Sequence, residues 1–123
     1  MTARMGAESM RGRRVLLVED EYFIVDDMVR AFEEAGAEVV GPVASVGEAL
    51  DLIEADGRLD GAVLDLNLRG EMAFPVADAL LARGVPFVFA TGYDETSIPG
   101  HYARIVRCEK PVDPAKIARA LFA

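Results

Sequence analysis

Beyond residue 13 the chain alternates short apolar runs with amphipathic stretches. Val15, Leu16, Leu17 and Val18 form an unbroken apolar run ending in acids, the pattern of a strand buried on both faces. From Glu21 onward Ile24, Met28, Ala31, Phe32 and Ala35 recur at helical spacing, and Gly36 stands where a left-handed stop belongs. The unit then repeats. Val39, Val40 and Val43 predict a second strand, broken near Pro42. Ser45 and Glu48 form a Ser-x-x-Glu capping box that opens a helix to about residue 56, ended by Gly57. Ala62, Val63 and Leu64 make a third strand that stops at Asp65, before a polar turn of Asn67, Arg69 and Gly70. A third helix is expected over residues 73–83, with Gly84 as its stop. Phe87, Val88, Phe89 and Ala90 predict a fourth strand, Ile105 and Val106 a short fifth. Asp113 caps a last helix with Pro114 at its first position, and Ile117 and Leu121 lie one turn apart on its inner face.

One link in this series is weak. Over residues 91–104, where a fourth helix belongs, Pro99 and Gly100 interrupt the segment, and an internal proline alone costs a helix about 3 kcal/mol. A loop or a single distorted turn is expected there. Five strands alternating with helices imply a parallel sheet covered on both faces, because right-handed crossovers place helices on each side. The predicted fold is therefore α/β, a doubly wound five-stranded parallel sheet with a poorly formed fourth helix.

Composition narrows the function classes. The 123 residues suit one domain, and a 52% hydrophobic content supplies a core. Residues 1–13 read as a disordered basic tail and 14–123 as the folded domain, with no output domain expected after the last helix. The net charge of −8 repels nucleic-acid phosphates and anionic lipid, so neither nucleic acid nor membrane is expected as a partner. The single cysteine, Cys108, cannot form an internal disulfide, and a reduced, cytoplasmic setting is expected. It reads as a small buried packing residue. His101, the one histidine, sits beside Pro99 and reads as a surface residue.

In a doubly wound sheet a ligand binds beyond the carboxyl ends of the strands, where strand order reverses. Strand one ends in Glu19 and Asp20, strand three in Asp65 and strand four in Thr91, while strand five leads within a few residues to Lys110. Clustered carboxylates repel one another unless a hard divalent cation lies between them, and Mg²⁺ is the usual occupant. Glu19, Asp20 and Asp65 are thus the candidate Mg²⁺ site. A carboxylate beside Mg²⁺ can attack a phosphoryl group to give an acyl phosphate, and Asp65, alone at the centre of the rim, is the candidate nucleophile. Lys110 and the Thr91 hydroxyl would then meet the phosphoryl oxygens. Taken singly, each of these residues is more often a cap or solvated surface than a functional group, and Glu19 or Asp20 can cap the first helix. Their convergence on one rim is what points to a site.

Together, Val-Leu-Leu-Val-Glu-Asp-Glu at 15–21, Ala-Val-Leu-Asp-Leu-Asn-Leu at 62–68, Phe-Ala-Thr-Gly-Tyr at 89–93 and Glu-Lys-Pro at 109–111 resemble the receiver domain of two-component response regulators. That resemblance implies a flavodoxin-like (βα)₅ fold. It implies Asp65 as phospho-acceptor, Glu19 and Asp20 as the acid pair, the backbone carbonyl of Asn67 as a further metal ligand, and Thr91 with Lys110 as a switch pair. It also implies a cis bond from Lys110 to Pro111. Two departures accompany it. The aromatic residue usual three places before the lysine is replaced by Arg107, which also reads as a solvated edge residue. Instead Tyr93 follows Thr91 and Gly92, and the Phe-Ala-Thr-Gly-Tyr run resembles the subgroup nicknamed FATGUY, in which the fourth helix is also poorly formed. For Tyr93 a ring packed on the loop and a signalling role stay equally open; with Asn67 it flanks the acceptor's water path in the family pattern.

The expected function is that of a single-domain response regulator. Asp65 takes a phosphoryl group from a sensor histidine kinase, of the HWE class by the subgroup resemblance, with Mg²⁺ required. Output passes to a downstream protein or phosphotransfer partner, and catalysis is confined to gaining and hydrolysing the domain's own phosphate. Two alternatives are a degenerate receiver acting as a phosphorylation-independent adaptor, and a small Mg²⁺-dependent phosphatase working through an aspartyl phosphate.

Overall fold

The computed structural model describes residues 9–55, 57–91, 98–110 and 112–122. Its sheet has five parallel strands: β1 (Arg14–Val18), β2 (Glu38–Val43), β3 (Gly61–Asp65), β4 (Phe87–Thr91) and β5 (Arg107–Glu109). They lie in the order β2-β1-β3-β4-β5. Helices α1 (Tyr22–Glu34), α2 (Val46–Ala55), α3 (Phe74–Ala82) and α4 (Pro114–Leu121) cover the two faces. Alternation along the strands sorts the core. Val15 and Leu17 of β1 pack with Met28 and Phe32 of α1 and Ile117 of α4. Leu16 and Val18 pack on the opposite face with Ile53 of α2 and Val76 and Leu80 of α3. β3 and β4 are buried at every position, so along their length no polar group is tolerated until the strand ends.

Local signals in the sequence act as expected at three helix ends. Gly36 closes α1 with a φ of 93°. Ser45 Oγ accepts the Glu48 N–H at 3.2 Å and also contacts Glu48 Oε1 at 3.1 Å. Asp113 Oδ1 accepts the Ala115 N–H at 2.9 Å, with Pro114 opening α4.

Three expectations need correction. The fifth strand is Arg107–Glu109 and not Ile105 with Val106: Cys108 is its inward residue, Val106 is exposed, and Ile105 packs in the loop. The second strand runs through Pro42 to Val43, and what is broken there is its pairing with β1, whose register shifts between the Leu16–Val40 and Val18–Val43 pairs. Residues 9–13 are no tail: Met10 is wholly buried in the α1–α4 layer, and Arg13 lies over the Phe122 ring with its Nε donating to the Ser9 carbonyl.

Between β4 and β5 the described residues hold no α-helix, only a 3₁₀ turn at Gly100–Tyr102. Among the described residues of this connection Tyr102 covers the sheet, with Ile98 and Ile105 packed against the same cluster. Its buried ring stacks on Phe74 and meets the edge of Phe89, and its hydroxyl donates to Asp78 Oδ1 on α3. Burial, with the Asp78 carboxylate, pushes the Tyr102 phenol up to about 12. Removing only the hydroxyl, in Tyr102→Phe, is expected to lower stability by about 1–3 kcal/mol in urea unfolding. Removing the ring, in Tyr102→Ala, is expected to lower it by about 3–5 kcal/mol. A Tyr102→Phe protein as stable as the wild type would show that the bond to Asp78 contributes nothing net.

Candidate functional site: an acidic rim closed by one lysine

The carboxyl ends of β1 and β3 are adjacent, since Val18 pairs with Leu64 and the next residues on each strand are Glu19 and Asp65. One strand further, Asp65 pairs with Ala90, which places Thr91 just beyond it, and Thr91 pairs with Glu109 at the head of Lys110. Register alone therefore brings Glu19, Asp20, Asp65, Thr91 and Lys110 to one rim. The Lys110 N–H donates to the Thr91 carbonyl at 2.9 Å, locking the lysine's backbone to β4.

Glu19, Asp65 and Thr91 are the buried polar residues of the described chain, at 2%, 5% and 7% exposure. Oxygens of Glu19, Asp20 and Asp65 lie within 4.8 Å of one another. Into this group reaches the Lys110 ammonium, 3.0 Å from Glu19 Oε1, 3.2 Å from Asp65 Oδ2 and 3.6 Å from Glu21 Oε1. Burial alone would lower the Lys110 pKa, but Glu19 and Asp65 outweigh it and hold the ammonium above its ordinary value. Asp65 is pushed up to about 7, first by burial and then by the neighbouring Glu19, with Lys110 offsetting only part of this.

Neither Glu19 nor Asp20 caps α1 in the usual way. Glu21 occupies the cap position without a side-chain bond to the helix, and its N–H donates to Glu19 Oε2 at 3.1 Å. Asp20 Oδ2 instead accepts the Arg69 N–H at 2.7 Å from the loop after β3. Asn67 turns its side chain away from a ligand role, its Oδ1 accepting the Gly70 N–H at 2.8 Å, while its own N–H donates to Asp65 Oδ1 at 3.4 Å. Arg107 is exposed on the edge strand β5, and among the described contacts none joins it to the rim. Gly92, Tyr93 and the Lys110–Pro111 bond lie outside the described residues.

The donor set fits a hard divalent cation. Glu19 Oε1 is buried and accepts no directed hydrogen bond, although the Lys110 ammonium lies 3.0 Å away. Three carboxylates face one ammonium, with Glu21 at the margin, so the cluster carries uncompensated negative charge that a cation would neutralise. Glu21 and the Arg69 N–H were not among the expected site groups. Glu21 follows directly on the acid pair and could be noticed in the sequence, whereas nothing there reveals a backbone donor.

No family model matches the chain, and no curated protein does. Solved structures do. SdrG from Sphingomonas melonis Fr1, in solution, is 40% identical over 89% of this chain and 93% of that one, with a TM-score of 0.78. The BeF3-activated conformation of SdrG, its source given as Pseudomonas melonis Fr1, is 39% identical over 95% of this chain and 96% of that one, with a TM-score of 0.72. A response regulator receiver protein from Sinorhizobium medicae WSM419 shares the fold at 22% identity, covering 89% and 91% of the two chains, with a TM-score of 0.72. The chain belongs to the response regulator receiver family, the CheY-like domains of two-component signalling.

The raised Asp65 pKa has a direction in pH. The folded state holds this proton to a higher pH than the unfolded chain, whose carboxyl titrates near 3.8, so the stability it contributes is whole below that value and is lost as pH rises through about 7. Asp65→Asn removes the loss. At about pH 8, without divalent cation, the variant is expected to be more stable than the wild type by about 1–4 kcal/mol in urea, the two converging near about pH 4. Equal stability at both pH values would show that Asp65 ionises in the rim at no cost.

Proposed function

We propose that this receiver domain accepts a phosphoryl group on Asp65 from a phosphohistidine of a sensor histidine kinase, with Mg²⁺ bound at Glu19, Asp20, Asp65 and the Asn67 carbonyl. The observation that carries the reading is the rim itself, a buried carboxylate flanked by two further acids and met by one lysine. A bound Mg²⁺ would supply charge neutralisation, favouring the Asp65 carboxylate and screening the approach of two anions. An Asp65 oxygen attacks phosphorus in line, the P–N bond breaks with its electron pair leaving on the imidazole nitrogen, and an aspartyl phosphate results. Lys110, already within 3.2 Å of Asp65 Oδ2, then has a dianionic phosphoryl group to pair with, and the Thr91 hydroxyl is a donor on the adjoining strand.

The output is protein binding or onward phosphotransfer, with the domain's own catalysis limited to gaining and losing its phosphate. That SdrG has a BeF3-activated conformation supports a receiver with an activated state. Phe89, Ala90, Thr91, Gly92 and Tyr93, together with a 3₁₀ turn as the helical element among the described residues between β4 and β5, support the FATGUY subgroup and with it a kinase of the HWE class. The buried, unpaired thiol of Cys108 supports a reducing, cytoplasmic setting. No described helix is long and apolar enough to cross a membrane.

Intact mass after incubation with acetyl phosphate tests the reaction. One added phosphoryl group is expected in the presence of Mg²⁺, and none after chelation or in Asp65→Asn. Lys110→Ala is expected to slow the gain by about 10²-fold or more, the scale of losing one charge-stabilising donor. Failure to label from both acetyl phosphate and a phosphorylated histidine kinase would favour a static adaptor. Sustained turnover of a phosphomonoester would favour a phosphatase.

A further inference from the structure

The loop after the proposed acceptor is a small, well-built hairpin. Asn67 pairs with Met72 and Leu68 with Glu71 in antiparallel register, leaving Arg69 and Gly70 as a two-residue turn. Both central residues are left-handed, with φ of 53° at Arg69 and 87° at Gly70, the conformation that a tight hairpin of this twist requires. Among the described residues Arg69 is the one non-glycine residue with positive φ. The strained turn is held from three sides. Asn67 Oδ1 accepts the Gly70 N–H at 2.8 Å, Leu68 is buried in the core, and the Ala73 N–H donates to the Leu66 carbonyl at 2.8 Å. The turn presents the Arg69 N–H to Asp20 Oδ2 at 2.7 Å, the short length of a bond to a charged acceptor.

Asp20 is the least buried of the three rim acids, and repulsion from Glu19 and Asp65 drives its carboxylate toward solvent. No described ion pair reaches it: Lys110 engages Glu19, Glu21 and Asp65 instead. We infer that the Arg69 backbone N–H is a positioning group for Asp20, holding its carboxylate at the rim so that cation affinity depends on the hairpin turn. The inference rests on the proposed Mg²⁺ role of the rim. The guanidinium takes no part in it; the left-handed backbone does.

Two measurements test it. Mg²⁺ binding to the unphosphorylated, full-length protein is titrated by calorimetry for wild type, Arg69→Val and Arg69→Gly, with circular dichroism to verify folding. A β-branched residue resists the left-handed region and should swing the N–H away, weakening Mg²⁺ by about tenfold, the lower range for loss of a partner that orients a metal ligand. Arg69→Gly keeps both the N–H and the conformation and is expected to bind within about twofold of wild type. A folded Arg69→Val that binds like wild type overturns the proposal, as does an Arg69→Gly as weak as the valine variant. The second measurement is amide hydrogen exchange in metal-free wild type and Asp20→Ala, expected to show the Arg69 amide about tenfold faster in the variant. Unchanged exchange overturns the link even where Arg69→Val does not fold. A wild type that takes up no Mg²⁺ overturns the cation reading instead, whatever the Arg69 amide does.

Discussion

Among the described residues Lys110 is the one positive charge paired with the rim acids, and the arrangement of the acids around it depends on that contact. Three carboxylates meet at the ends of β1 and β3, two of them in a nearly dry environment where their repulsion is only partly screened. The ammonium, within 3.0 Å of Glu19 and 3.2 Å of Asp65, offsets enough of this for the protein to fold with its acids facing one another. It does not offset all of it. Asp65 still holds its proton to about pH 7, and Glu19 Oε1 still lacks a directed donor. The rim is thus left with residual negative charge, and a cation or a change in charge at Asp65 acts on that remainder.

The sheet explains why the charge collects where it does. β3 and β4 are buried from end to end and β1 after its first residue, so polar groups on these strands are confined to the termini. Parallel register then aligns those termini. Order β2-β1-β3-β4-β5 sends the crossovers from β1 and β3 to opposite faces and opens the crevice between them, above which Glu19, Asp20 and Asp65 stand. The core thereby determines the site's location, and the loops adjust its detail.

Much of this was legible in the sequence for the same reason. Short continuous apolar runs such as Leu16-Leu17-Val18 and Phe87-Val88-Phe89 mark two-sided strands by their length and their β-branched and aromatic content, and an acid, hydroxyl or lysine immediately after such a strand falls at the rim. What failed were places where tertiary contact decides. Ile105 and Val106 carry the stronger strand propensity, yet the ladder forms two residues later, because Cys108 is the residue that fits inward against the α1–α4 layer. Met10 looked like part of a polar tail until α1 and α4 offered it a cavity. Tyr102 carries no periodic signal at all, although its ring covers Phe89. The Arg69 N–H is a backbone group, and side-chain identities cannot announce it.

The balance at Lys110 also bears on how such a rim can switch. In the described state the ammonium is divided among Glu19, Asp65 and Glu21. An acyl phosphate on Asp65 would replace a partly protonated carboxyl by a group of nearly two negative charges carrying three acceptor oxygens, and the ammonium's interaction with Asp65 would strengthen at the expense of Glu19 and Glu21. The Lys110 backbone N–H stays tied to the Thr91 carbonyl, so this redistribution falls to its flexible four-carbon side chain.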